Sequence, residues 1–143
     1  MCVALRVHRK AQPMDDEAVR IVERFWELMA ANDFFAVGAV LGDAFVLDWP
    51  QSGERIRGRE AFAAMNAAYP AQVPWRFTIN RIVGGGQSAV SDVSVTDGVQ
   101  TGRAITFFTL RDGNIESIVE FWPEPFEPQP NRRQFVEIIE PAR

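Results

Sequence analysis

The chain has 143 residues and a mass of 16.1 kDa, enough for one domain with a full core and too little for two. A net charge of −4, a pI near 5.0 and scattered basic residues exclude the clustered positive face that nucleic acid requires, and no apolar run approaches the roughly 20 residues of a membrane span. A single cysteine, Cys2, excludes an internal disulfide and a Cys-based zinc site, and a single histidine, His8, all but closes the Ser-His-Asp and His-rich metal classes.

In chain order, MCVALRVHRKAQP places Arg6, Arg9 and Lys10 behind its weak apolar positions, the reverse of a signal peptide. Residues 1–13 therefore read as a disordered leader before one domain over 14–143. An alternative is that the native chain starts at Met14, and the cytoplasm is the default compartment. From Asp15 the pattern is helical, with Val19, Val22, Phe25, Trp26 and Met29 at spacings of three and four. Asn32 and Asp33 break it, and a short second helix is expected through Phe34, Val37 and Leu41, stopped by Gly42.

AFVLDW then reads as a strand, PQSGERIRG as a loop, and REAFAAMNAAY as a third helix with Ala61, Met65 and Tyr69 inward before Pro70. Beyond residue 74 the period changes to two. WRFTINRIV, SAVSDVSV, QTGRAITFFTL and IESIVEFW are expected as four antiparallel strands, joined at the glycines 84–86, at Asp97-Gly98 and at Asp112-Gly113. The order predicts an α+β domain in which helices cover one face of a curved sheet, leaving a conical hollow. The Pro-rich tail PEPFEPQPNRRQFVEIIE reads as a strap over a pocket rim or onto a partner subunit.

Three stretches, FWELMAANDFFAVGAVL, FVLDWPQSGERIRGREAF and TLRDGNIESIVEFWPEPF, resemble the SnoaL-like proteins of the nuclear transport factor 2-like superfamily. The resemblance covers roughly residues 15–140. It implies a cystatin-like cone: a curved, mixed or antiparallel sheet wrapped around three N-terminal helices, with a pocket between the layers and a homodimer formed through the sheet. The superfamily holds ketosteroid isomerase, polyketide cyclases, limonene epoxide hydrolase, dehydratases and non-enzymatic members, so residues must decide function.

By that resemblance Asp48 stands where the isomerase keeps its base, and Trp122 where it has a pocket aromatic. Phe25 replaces the oxyanion-donating tyrosine and Thr106 the second acid, which argues against the isomerase reaction itself. Glu120 aligns with the last-strand acid of limonene epoxide hydrolase, whose central arginine has no counterpart here. The pocket is expected to be lined by Phe25, Met29, Met65, Tyr69, Thr106, Phe108, Ile118 and Trp122, with Trp26, Trp49, Trp75 and Phe107 as further aromatics that serve cavity, core or interface.

Asp48 is then either a general base in an apolar pocket or a structural acid that accepts backbone N–H bonds from the PQSGER loop or pairs with Arg55 or Arg57. Glu120 shares the face of Ile118 and Trp122 and is expected to meet Asp48 in one hollow, the two dividing acid and base roles, unless Glu120 pairs with Arg103. Asp92 is expected to form a cross-strand ion pair with Arg103. Two functions remain open: a cofactor-independent cyclase, isomerase or dehydratase acting on a hydrophobic carbonyl compound, with no metal, and a non-catalytic module that binds a small hydrophobic molecule or another protein.

Overall fold

A computed structural model describes residues 13–141, so the leader expected over 1–13 lies, up to residue 12, outside the described residues. Helix α1 spans Pro13–Ala30 and buries Ala18, Val22, Phe25, Trp26 and Met29, close to the stripe that the apolar spacing predicts. Asn32 ends it with a left-handed backbone (φ 58°) that asparagine tolerates. The Asn32 side chain then binds the backbone of Trp75, Nδ2 donating to the carbonyl at 2.8 Å and Oδ1 accepting the N–H at 2.8 Å.

Two expectations for the next stretch are corrected. The second helix is only a 3-10 segment over Ala36–Val40, because Leu41 turns extended and opens strand β1 (Leu41–Trp49), with Gly42 inside that strand. The loop expected over PQSGERIRG contains β2 (Glu54–Arg57), folded back antiparallel on β1 by a turn at Gly53 (φ 72°). Helix α2 (Arg59–Ala68) buries Phe62 and Ala63 in place of Ala61. Its inward stripe lies one residue later than alanine spacing suggested, because the large Phe62 ring gains more from burial than a methyl group does.

Strands β3 (Arg76–Gly85), β4 (Ser88–Thr96), β5 (Thr101–Arg111) and β6 (Asn114–Phe121) complete one open six-stranded sheet in the order β2-β1-β6-β5-β4-β3. All neighbours are antiparallel except β1 and β6, which run parallel. Asp112 (φ 51°) and Gly113 (φ 77°) make the two-residue turn that their sequence implies. Asp97-Gly98 instead belongs to a four-residue connection between the paired Thr96 and Thr101. Buried Asp97 organises that connection by accepting N–H bonds from Gln72, Val99 and Gln100 at 2.9, 2.9 and 2.6 Å.

Register irregularities between Ile79 and Arg81 and between Thr109 and Leu110 bend the sheet around α1, which packs on β3 and β4. Gly84, inside β3 and not part of the turn, permits this approach: a Cβ there would lie 3.0 Å from the Val19 side chain. Helix α2 closes the other end against β1 and β2. The result is the α+β cone that the element order predicts. Residues 122–141 follow β6 with exposed side chains, Phe126 at 77% and Ile139 at 81% among them.

Candidate functional site

Between the helices and the inner sheet face lies a cavity of about 1090 Å³. Its walls are rich in aromatic side chains: Phe25 and Trp26 from α1, Trp49 from β1, Phe62 from α2, Phe77 from β3, and Tyr69, Trp75 and Trp122 from the segments between and after. The one carboxylate in its wall that is buried belongs to Glu120, whose residue is 6% exposed.

Strand register explains how Glu120 is held. Glu120 faces Thr106 across β5 and β6, Thr106 faces Ser91 across β4 and β5, and Trp49 lies one strand away on β1. A row of polar groups therefore crosses an otherwise apolar face. Trp49 Nε1 and Trp122 Nε1 donate to Glu120 Oε1 at 3.1 and 3.0 Å, while Thr106 Oγ1 bonds Oε2 at 2.8 Å. Further along, Trp26 Nε1 donates to Ser91 Oγ at 3.0 Å. Gly102 lets the Trp122 ring lie against β5, since a Cβ there would stand 3.3 Å from Cζ3.

Burial pushes the Glu120 carboxyl above its ordinary range, and the three neutral donors pull it part of the way back. The geometry also distinguishes its two oxygens. An indole N–H can only donate, so Oε1 accepts in either protonation state and both of its lone pairs are occupied. Oε2 has one partner, a hydroxyl that can donate or accept, and retains a free lone pair. The acid proton, when present, therefore sits on Oε2, toward Thr106.

Asp48 is elsewhere. It points to the outer face of the sheet, where Arg55 Nε and Nη2 donate to its two oxygens at 2.6 and 2.9 Å. The guanidinium holds its carboxyl below the usual range. The expected hollow shared by Asp48 and Glu120 is not formed. Strand alternation is the reason: Leu47 and Trp49 occupy the inner positions, and Asp48 between them must face out.

Arg103 does not pair with Glu120 either. It forks onto Asp92, with Nε at 2.7 Å from Oδ1 and Nη2 bonded to Oδ2, and this lowers the Asp92 carboxyl. The longer connection shifts the register by two, so Arg103 sits opposite Ser94 and diagonal to Asp92. A shift of two preserves the face, and the expected ion pair survives.

Of the residues expected to line the pocket, Phe25, Met29, Met65, Tyr69 and Trp122 do so. Phe108 and Ile118 lie in solid core beneath it, and Thr106 is buried against Glu120 instead of facing the cavity. Trp49 as a donor to Glu120 was not anticipated. The alternation that pairs it with Leu47 on the apolar side of β1 was the available signal. Among the described residues no group of three or more His, Cys, Asp or Glu is placed to hold a metal ion, and no helix is long and apolar enough to cross a membrane.

An open, curved sheet cupping helices over such a cavity defines a protein of the nuclear transport factor 2-like α+β class. The chain belongs to the SnoaL-like domain family, whose pattern matches residues 22–135. It is similar to a crystal structure from Kribbella flavida named a "putative ketosteroid isomerase", with 28% identity, 90% of this chain and 93% of that one covered, and a TM-score of 0.82. A nuclear transport factor 2-like protein of unknown function from Burkholderia xenovorans is 27% identical, with 87% and 97% covered and a TM-score of 0.73. An LEH-like epoxide hydrolase from M. tuberculosis is 26% identical, with 78% and 86% covered and a TM-score of 0.64. Comparison with curated proteins finds no match.

Proposed function

We propose that this chain binds a small hydrophobic carbonyl compound in its cavity and exchanges a proton with it through Glu120, in cofactor-independent chemistry of the isomerase, cyclase or dehydratase type. The observation that carries this reading is a buried carboxyl in the wall of a cavity rich in aromatic side chains, with one oxygen held by two indoles and the other by a single hydroxyl. Burial raises the basicity of the anion and excludes competing water, as a general base requires. Asp48, ion-paired on the opposite face, has no part in it.

The test is proton exchange on a panel of hydrophobic ketones, followed by NMR in deuterated water with the parent chain and with Glu120→Gln. General-base loss costs about a hundredfold or more, so the variant should be that much slower on any ketone the parent exchanges. Equal exchange by both would remove Glu120 from the chemistry. The non-catalytic reading is favoured by the donors around Glu120, which also suit a purely binding role. It predicts ligand binding with no exchange by either chain.

We further propose a homodimer through the outer sheet face. Phe107 is 46% exposed there, packed edge-on against Phe121 at 6.1 Å, with Val83 also exposed on the same side. Light scattering should report twice the chain mass, and Phe107→Glu should halve it. A parent chain of single mass would overturn this.

A further inference from the structure

We propose that the cavity selects a hydrophobic molecule carrying its own positive charge, a protonated amine, over a neutral or anionic molecule of the same shape. This rests on the reading of the cavity as the ligand site with Glu120 as its working group. The charges in the wall point one way. Glu54, Glu120 and Glu124 line the cavity, and the single cationic side chain there among the described residues, Arg103, is already neutralised by Asp92. A carboxylate or phosphate ligand would meet like charges and find no free guanidinium to bind.

Glu120 is the decisive member. Glu54 and Glu124 are exposed, and at physiological salt such charges are screened within about 8 Å. Glu120 is buried, its three partners are neutral donors, and among the described residues no cationic side chain forms an ion pair with it. A buried carboxylate without a counter-ion is the group that gains most from one supplied by a ligand. An ammonium group held in the cavity beside Glu120 would supply that counter-ion. The aromatic walls add to this, since ring faces carry the negative end of the ring quadrupole and attract organic cations. Trp49, Trp75, Trp122 and Tyr69 are all in the wall.

The same feature answers a gap in the acid–base reading. Phe25 cannot donate to a developing oxyanion, and the Thr106 hydroxyl is committed to Glu120. A positive charge within the substrate would compensate the negative charge that proton removal creates.

The experiment compares phenylbutylamine, phenylbutanol and phenylbutanoate, matched in shape, for binding to the full chain near neutral pH at physiological salt, read by quenching of tryptophan fluorescence. The amine should bind at least about tenfold more tightly than the alcohol, a modest cation–π and ion-pair advantage, and the carboxylate more weakly than either. In Glu120→Gln the amine should fall to within about threefold of the alcohol measured on the same variant. Alcohol or carboxylate binding as tight as the amine in the parent chain would overturn the charge selection and leave the cavity as a binding site. Failure of all three to bind would overturn both. The parent-chain comparison stands whether or not the variant folds, and an amine preference that persists in a folded Glu120→Gln protein would also overturn the proposal.

Discussion

Trp49 on β1 donates its indole N–H to Glu120 on β6 across 3.1 Å, joining the parallel strand pair at the floor of the cavity. The same indole lines the cavity wall, so one side chain both orients the carboxylate and shapes the space in front of it. Its neighbour Asp48, one residue earlier, faces out and carries an ion pair instead.

Trp49→Phe should keep the ring and remove one of the two donors to Oε1. The Glu120 carboxyl would then move further upward, because the lost N–H bond favours the charged form. Carboxyl-selective NMR titration checks this, and a downward or absent movement would count against the assigned hydrogen bond. Thr106→Val should act in the same direction through Oε2.

Glu120→Gln should fold and gain stability relative to the parent as pH rises. The glutamine oxygen can accept both indoles while its amide donates to Thr106 Oγ1, so no buried group is left without a partner. The sign follows from linkage: the folded carboxyl lies above its ordinary value of 4.5, so its contribution is fully present below 4.5 and is lost as pH rises through the folded value. The two proteins should therefore melt alike in acid and diverge toward neutrality, with the variant the more stable. Urea melts across that range measure it.

Asp48→Asn should leave ligand affinity and any turnover within about threefold of the parent, since loss of a true general base costs about a hundredfold. The same steady-state assays decide it. A large loss would mean that the outer-face ion pair with Arg55 is not the arrangement in solution.

Asp97→Asn should lower the melting temperature at neutral pH, because an amide nitrogen cannot accept the bonds that Oδ2 takes from the Gln72 backbone N–H and the Gln100 side-chain amide. Those bonds, that from Gln72 above all, hold the Asp97 carboxyl far below its usual range. Its contribution is thus present above the ordinary value of 3.8 and fades as pH falls through the depressed folded value, so the gap between variant and parent should close only in strong acid. Thermal melts on both sides of that range report it.

Phe62→Ala should cost about 3–5 kcal/mol of stability, the usual range for truncating a buried aromatic ring. Phe62 is buried between Phe25 and Phe45, with ring centroids at 6.1 and 5.7 Å, and it also lines the cavity. Denaturant unfolding gives the loss, and the enlarged chamber should accept a bulkier apolar ligand than the parent does.

The sequence by itself determined the class of fold and the inward stripe of α1, because periods of 3.6 and 2 report directly which side chains can share a face. It also determined the Asp112-Gly113 turn, since positive φ at two successive positions is a local requirement. Short β2 was lost because polar, arginine-rich ERIR has no apolar alternation to betray it, and pairing with β1 makes it a strand. Only the tertiary structure decided the site. Glu120 gains its meaning from Trp49 and Trp122, 71 residues and two residues away in the chain, and Thr106, 14 away. Whether Asp48 faces chamber or solvent depends on which side of β1 meets the helices. Alternation fixes that two faces exist, and packing alone chooses which of them is inside.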